Sequence, residues 1–154
     1  MGELRTILLA EDNPKDVELT LEALAEHNLA NNVIVVRDGV EAMEYLQCQS
    51  KYKLRKPELP AVLLLDIKMP RMDGIEVLRA VRGDPALRLL PVVILTSSRE
   101  EQDLIKSYEL GVNAYVVKPV DFKDFIRAVK EIGVFWAIIN ELPPESMLSK
   151  ETKS

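Results

Sequence analysis

Five times along this chain a short run of apolar residues gives way to a longer stretch whose apolar residues recur every three or four positions. That alternation constrains the fold more than any other feature. A continuous apolar run of four or five residues suits a strand buried on both faces, and such strands belong to parallel sheets covered by helices. The runs are Thr6 to Ala10, Val33 to Val36, Ala61 to Leu65, Val92 to Leu95 and Ala114 to Val117. The third is the most apolar and is expected at the centre. Between them, Val17, Leu21, Leu24 and Ala25 share one helical face. So do Val40, Met43, Tyr45 and Leu46 in a helix reaching about Gln49, and Val77, Leu78 and Val81 in one stopping near Gly83-Asp84-Pro85. A hydroxyl of Thr96-Ser97-Ser98 can cap a helix from Glu100 to Leu110, and Asp121 can cap the last one from Phe122.

Strict alternation with right-handed crossovers predicts an α/β fold, a doubly wound five-stranded parallel sheet of order 2-1-3-4-5 with flavodoxin-like topology. At 154 residues the chain is expected to hold one domain over residues 1–142, with no output module behind it and a polar tail over 143–154. The net charge of -5 gives no positive field for phosphate backbones, so no direct nucleic-acid partner is expected. One cysteine, Cys48, cannot form an intrachain disulfide, and no leader or membrane-spanning run appears. Those features predict a cytoplasmic chain without membrane contact. Cys48 and His27 lack the company a metal site needs and read as structural or solvated.

In doubly wound sheets ligands bind beyond the carboxyl ends of the strands, where the winding direction reverses. The first strand delivers Glu11 and Asp12 there, the third Asp66, the fourth Thr96 and the fifth Lys118. Each has an ordinary explanation alone: a solvated acid, a helix cap, a surface amine. Together they form a set with one chemistry. Three crowded carboxylates raise one another's pKa unless a cation offsets them, and Mg²⁺ favours oxygen ligands of this kind. A carboxylate can attack phosphorus, and phosphoryl transfer needs an ammonium and a hydroxyl at the remaining oxygens, which Lys118 and Thr96 can supply.

The blocks Leu8-Leu9-Ala10-Glu11-Asp12-Asn13, Leu64-Leu65-Asp66-Ile67-Lys68-Met69-Pro70-Arg71-Met72-Asp73-Gly74, Leu95-Thr96-Ser97 and Ala114-Tyr115-Val116-Val117-Lys118-Pro119 resemble the receiver domains of bacterial two-component signalling. The resemblance spans about residues 6 to 132. It implies that Asp66 is the phosphoacceptor and that Glu11, Asp12, Asp66 and the backbone carbonyl of Lys68 bind Mg²⁺. Thr96 and Lys118 would contact the phosphoryl group, and the Lys118-Pro119 bond would be cis. It implies a switch in which Thr96 and Tyr115 reshape the surface of the fourth helix, fifth strand and fifth helix. A packed strand residue is the plainer reading of Tyr115. The partner implied is a sensor histidine kinase, with no catalysis beyond the chain's own phosphoryl transfer and dephosphorylation.

Phe125, Val129, Ile132, Trp136 and Ile139 form a stripe on an extended last helix, while Val134, Phe135 and Ile138 fall away from it. That stretch is apolar nearly all round, so Val134, Phe135, Trp136 and Ile138 are candidate contacts of a homodimer. A fold-back after Gly133 is the alternative. The Phe135-Trp136 extension and the loop of Lys51, Lys53, Arg55 and Lys56 are similar to stand-alone regulators of phytochrome-type kinases; as charge alone, the loop reads as a solvated face. Three other readings compete. A haloacid-dehalogenase-type phosphohydrolase wants an acid where the chain has Lys68. An FMN carrier wants a Ser/Thr/Gly-rich loop where Glu11-Asp12-Asn13-Pro14 stands. An adaptor keeping only the fold would have no use for the full set.

Overall fold

Side chains alternate across a strand, so a five-residue apolar strand can serve two cores at once. The computed structural model, which describes residues 6–26, 28–106, 108–134 and 138, uses the strands in this way. Its elements are β1 (Ile7–Ala10), α1 (Pro14–Ala25), β2 (Val33–Val36), α2 (Gly39–Leu46), β3 (Val62–Asp66), α3 (Gly74–Gly83), β4 (Val92–Thr96), α4 (Arg99–Lys106), β5 (Ala114–Val117) and α5 (Phe122–Glu131). The sheet is wholly parallel in the order β2-β1-β3-β4-β5, as expected from the alternation. Leu8, Ala10, Leu63, Leu65 and Ile94 meet Ala42 and Met43 of α2 and Val77, Leu78 and Val81 of α3 on one face. Ile7, Leu9, Leu64, Val93 and Leu95 meet Val17 and Leu24 of α1 and Phe125, Ala128 and Val129 of α5 on the other.

The caps expected for the last two helices are in place, and α1 has one as well. Asn13 accepts hydrogen bonds from the N–H groups of Lys15 and Asp16, and Asp121 accepts from that of Asp124. Of the hydroxyls of Thr96, Ser97 and Ser98, that of Ser98 accepts from a backbone N–H of the first turn, that of Glu101. The helix ends fall earlier than apolar periodicity implies. α2 stops at Leu46 because Cys48 and Ser50 take positive φ, and α4 stops at Lys106, with Glu109 and Gly111 both left-handed. Periodicity records which residues can face a core, not where the backbone turns.

The largest correction concerns α5. It ends at Glu131, and Gly133 at φ +77° closes it in a Schellman-type turn in which the Val134 N–H donates to Val129 O at 3.0 Å. After that turn the Ile138 N–H donates to Val134 O, and the Ile138 side chain is 1% exposed inside the chain's own core. Ile138 is therefore a core residue and not a dimer contact. Val134 is half-buried against the same core, while Phe135, Trp136, His27 and the 143–154 tail lie outside the described residues.

The loop after α2 is more than a solvated basic run. It holds a 3-10 turn at Ser50–Tyr52, and Arg55 stacks 4.0 Å above the Tyr45 ring. The Arg55 guanidinium donates to the carbonyls of Tyr45, Lys56 and Glu58. Its delocalised planar charge suits both tasks.

Candidate functional site

β1 and β3 are neighbours, with Ala10 beside Leu65, so Glu11 and Asp66 leave adjacent strands at the same level. The backbone N–H of Glu11 still pairs with Val36 O at 3.0 Å, which holds its side chain at the sheet edge, 1% exposed. Asp66 is 5% exposed and Asp12 is exposed. Carboxylate oxygens of Glu11, Asp12 and Asp66 lie within 4.8 Å of one another. These three acids, expected to share a site, do so.

Close approach of the flanking loops builds the floor. A Cβ on Gly74 would meet Asp66 O at 2.3 Å, so α3 can begin this near the site only with glycine there. A Cβ on Gly39 would meet Met72 O at 2.0 Å, which locks the loop after β2 onto the loop after β3. Arg71 fastens the same two loops, donating through Nε and Nη2 to Asp38 Oδ2 at 2.9 and 2.7 Å. Lys68 sits in this loop with its side chain exposed.

Lys118 follows β5 and is the cationic centre of the site. Its Nζ donates to Asp66 Oδ1 at 3.0 Å, Asp16 Oδ2 at 3.1 Å and Glu11 Oε1 at 3.3 Å. The Lys118-Pro119 peptide bond is cis. Burial works against the ammonium charge, but the hydrogen bond and charge of Asp66, with Asp16 and Glu11, outweigh it and hold the lysine above its usual range. Burial pushes the Glu11 carboxyl up to about 7; Asp66 raises it as well, and Lys118 pulls it back. One lysine does not neutralise the cluster.

Thr96 is fully buried at the end of β4, and its carbonyl accepts from the Lys118 N–H at 2.7 Å. Its hydroxyl faces Gln102, whose Nε2 lies 3.5 Å away. Tyr115 is half-buried on β5, with Lys106 Nζ 5.3 Å from its ring centre, and burial pushes its hydroxyl up. Asp16 was not among the residues singled out from the sequence. An acid in the first turn of a helix has an ordinary use in complementing the helix dipole, and only the fold reveals its reach to Lys118.

The arrangement can hold a hard cation among three carboxylates, one of which, Asp66, is also paired with an ammonium. Comparisons with known proteins agree with that chemistry. The Response regulator receiver domain family matches residues 7–130. Response regulator Rcp1 of Synechocystis sp. is 41% identical over 139 residues, covering 90% of this chain and 93% of the relative. The structure of its Mn(2+)-bound form gives a TM-score of 0.68 at 40% identity, covering 91% of this chain and 99% of that one. The bacteriophytochrome response regulator AtBRR gives a TM-score of 0.84 at 60% identity, over 91% of this chain and 100% of its own. The phosphorylated cyanobacterial phytochrome response regulator RcpA gives 0.69 at 40% identity, over 87% and 94%. A family pattern that runs from β1 into α5, over a sheet whose edge carries this acid and lysine cluster, decides the matter: the chain belongs to the response regulator receiver domain family and is similar to the regulators of phytochromes.

Proposed function

We propose that Asp66 accepts a phosphoryl group from a phosphohistidine of a sensor histidine kinase, of the phytochrome type as for the relatives, in a site that takes Mg²⁺. The observation that carries this reading is the convergence of Glu11, Asp12 and Asp66 within 4.8 Å while Lys118 Nζ lies 3.0 Å from the Asp66 carboxylate. The donor set is all oxygen and acidic, which fits Mg²⁺. Glu11, Asp12, Asp66 and the backbone carbonyl of Lys68 would hold it, and bound there it would offset charge on a phosphoryl oxygen.

An Asp66 oxygen attacks phosphorus, an O–P bond forms, the P–N bond breaks and its electron pair returns to the imidazole nitrogen. Lys118 meets a second phosphoryl oxygen, and the Thr96 hydroxyl, turned from Gln102, meets the third. That turn vacates space beside β5 for Tyr115, which links Asp66 to the α4-β5-α5 surface. Such a local charge event acting on a two-position element is what a switch requires.

The chain is a signalling receiver and not a turnover enzyme; its chemistry is confined to its own phosphorylation and dephosphorylation. It works in the cytoplasm without binding nucleic acid or membrane. The net charge of -5 supports the lack of nucleic-acid binding, and among the described residues no helix is long and apolar enough to cross a membrane. It pairs with a second copy through Val134, Phe135 and Trp136, with Ile138 now excluded. Incubation with Mg²⁺ and acetyl phosphate, read by intact mass and elution volume, tests these points. A Mg²⁺-dependent adduct on the wild type and none on Asp66→Asn is expected; an equal adduct on both refutes the assignment. A monomer in both states refutes the dimer.

A further inference from the structure

An ammonium has three N–H donors, and those of Lys118 face three carboxylates on three elements. Two of these, Glu11 and Asp66, belong to the group of acids that converge as a cation site. The third, Asp16, lies outside that group. A cation drawn between Glu11 and Asp66 draws on the same two carboxylates that hold Lys118, and it repels the ammonium. Asp16, outside that group, is left to the lysine.

We propose that Asp16 is the positioning residue of Lys118, the partner that keeps the ammonium over Asp66 once Glu11 and Asp66 are engaged elsewhere. The proposal rests on the reading of Asp66 as phosphoacceptor. Three observations support it. The Asp16 Oδ2 contact at 3.1 Å lies between those of Asp66 at 3.0 Å and Glu11 at 3.3 Å, and it spans 102 positions of sequence. The Asp16 side chain is 27% exposed and that of Lys118 18%, so the pair stands at the mouth of the site but is largely withdrawn from water. Nor is the carboxylate engaged in capping: Asn13 already accepts from the N–H groups of Lys15 and Asp16, which frees the Asp16 side chain to reach across. The first turn of α1 is thereby tied to the end of β5, on the opposite flank of the sheet from the loops that Arg71 locks.

Asp16 touches neither the phosphoryl group nor the metal in this arrangement, so it acts through Lys118 only. Its loss leaves Mg²⁺ affinity unchanged and slows phosphorylation by about tenfold, the lower end for loss of an outer partner in a metal site. The experiment compares Asp16→Ala, Asp16→Glu and Lys118→Ala, with Asp16→Ala also placed in the Lys118→Ala background. Phosphorylation by acetyl phosphate is followed by intact mass, and Mg²⁺ binding by calorimetry. The expected result is a slow Asp16→Ala with wild-type Mg²⁺ affinity, recovery in Asp16→Glu, and no further slowing when Asp16→Ala is added to Lys118→Ala. A wild-type rate in Asp16→Ala overturns the proposal, and so does a faster one, which would make the acid a competitor for the lysine. Additive losses in the double variant also overturn it, because Asp16 would then act independently of Lys118. No adduct on the wild type overturns the assignment of Asp66 and this proposal with it.

Discussion

Lys118 and Lys51 each hold carboxylates at ordinary ion-pair distance, 3.0–3.3 Å for one and 2.9 Å for the other, yet the acids they hold behave in opposite ways. Glu11 is pushed up to about 7. For Glu41 burial also raises the carboxyl, but the Lys51 ammonium, the Arg37 N–H and the Tyr52 hydroxyl outweigh it and hold Glu41 below its ordinary value. The number of donors per acid separates them. Glu41 has those three, whereas Glu11 shares one lysine with Asp66 and Asp16 and otherwise accepts from the Asn13 N–H. Exposure separates them too, since the Lys51 side chain is 67% exposed and that of Lys118 18%. A satisfied cluster fastens a loop; an acid-rich one stores a demand for positive charge that a metal can meet.

Removing Lys118 breaks the comparison most severely. Lys118→Ala leaves Glu11 and Asp66 buried without their cation, and such losses cost several kcal/mol in closed sites. This site opens to water at Asp12, so the expected loss is about 2–3 kcal/mol in urea unfolding with chelator present. Added Mg²⁺ should recover part of it. If the variant melts with the wild type in chelator, the surplus negative charge is not a burden on the fold.

Glu11→Gln probes the same surplus from the other side, with opposite sign. The folded value of about 7 lies above the ordinary 4.5, so folding opposes ionisation of Glu11. Below pH 4.5 the group is neutral in both states and the penalty is absent; it grows between 4.5 and 7 and is complete above 7. The glutamine variant should therefore gain about 2 kcal/mol at alkaline pH without metal and nothing in acid. Its stabilisation by Mg²⁺ should fall as well. A gain that persists below pH 4.5 would show that packing, and not charge, is the cause.

Glu41→Gln is the matching test in the satisfied cluster. A carboxyl held below its ordinary value contributes stability above pH 4.5 and loses it as pH falls through the folded value. The variant should lose about 1 kcal/mol at neutral pH, and the difference should vanish in acid. Urea midpoints across pH check this. A variant that gains at neutral pH would place Glu41 with Glu11.

The contrast also bears on what could be read without the fold. Glu11, Asp66, Thr96 and Lys118 were legible because strand ends in a doubly wound sheet converge by topology, whatever the side chains. Asp16 was not, since an acid at the third position of a helix looks like any dipole partner until Lys118 arrives from 102 positions away. The loop of Lys51 and Arg55 was legible as charge but not as structure, because the partners of Arg55 are backbone carbonyls, which sequence does not distinguish. The end of α5 at Gly133 is legible only as the alternative to an extended helix: a glycine after an apolar stripe is a stop signal, but Trp136 and Ile139 continue the same spacing. Gly39 and Gly74 show their need only against Met72 and Asp66 of neighbouring loops.

Lys51→Ala is expected to have the smallest effect, and it tests whether distance carries any weight of its own. The 2.9 Å contact is the shortest lysine–carboxylate pair of the two clusters, so an argument from distance ranks it first. An argument from surroundings ranks it last. Lys51 is held by a flexible stem in open solvent, where the entropy of fixing it and screening by salt offset the Coulomb gain. Glu41 keeps the Tyr52 hydroxyl at 2.8 Å and the Arg37 N–H at 3.0 Å after the lysine is gone, so no buried acceptor is left bare. The variant should share the wild-type urea midpoint, and its difference from the wild type should shrink further at about 1 M salt, where the Debye length is about 3 Å. A loss comparable to that of Lys118→Ala, unchanged by salt, would mean that the exposed cluster bears on the fold as heavily as the buried one.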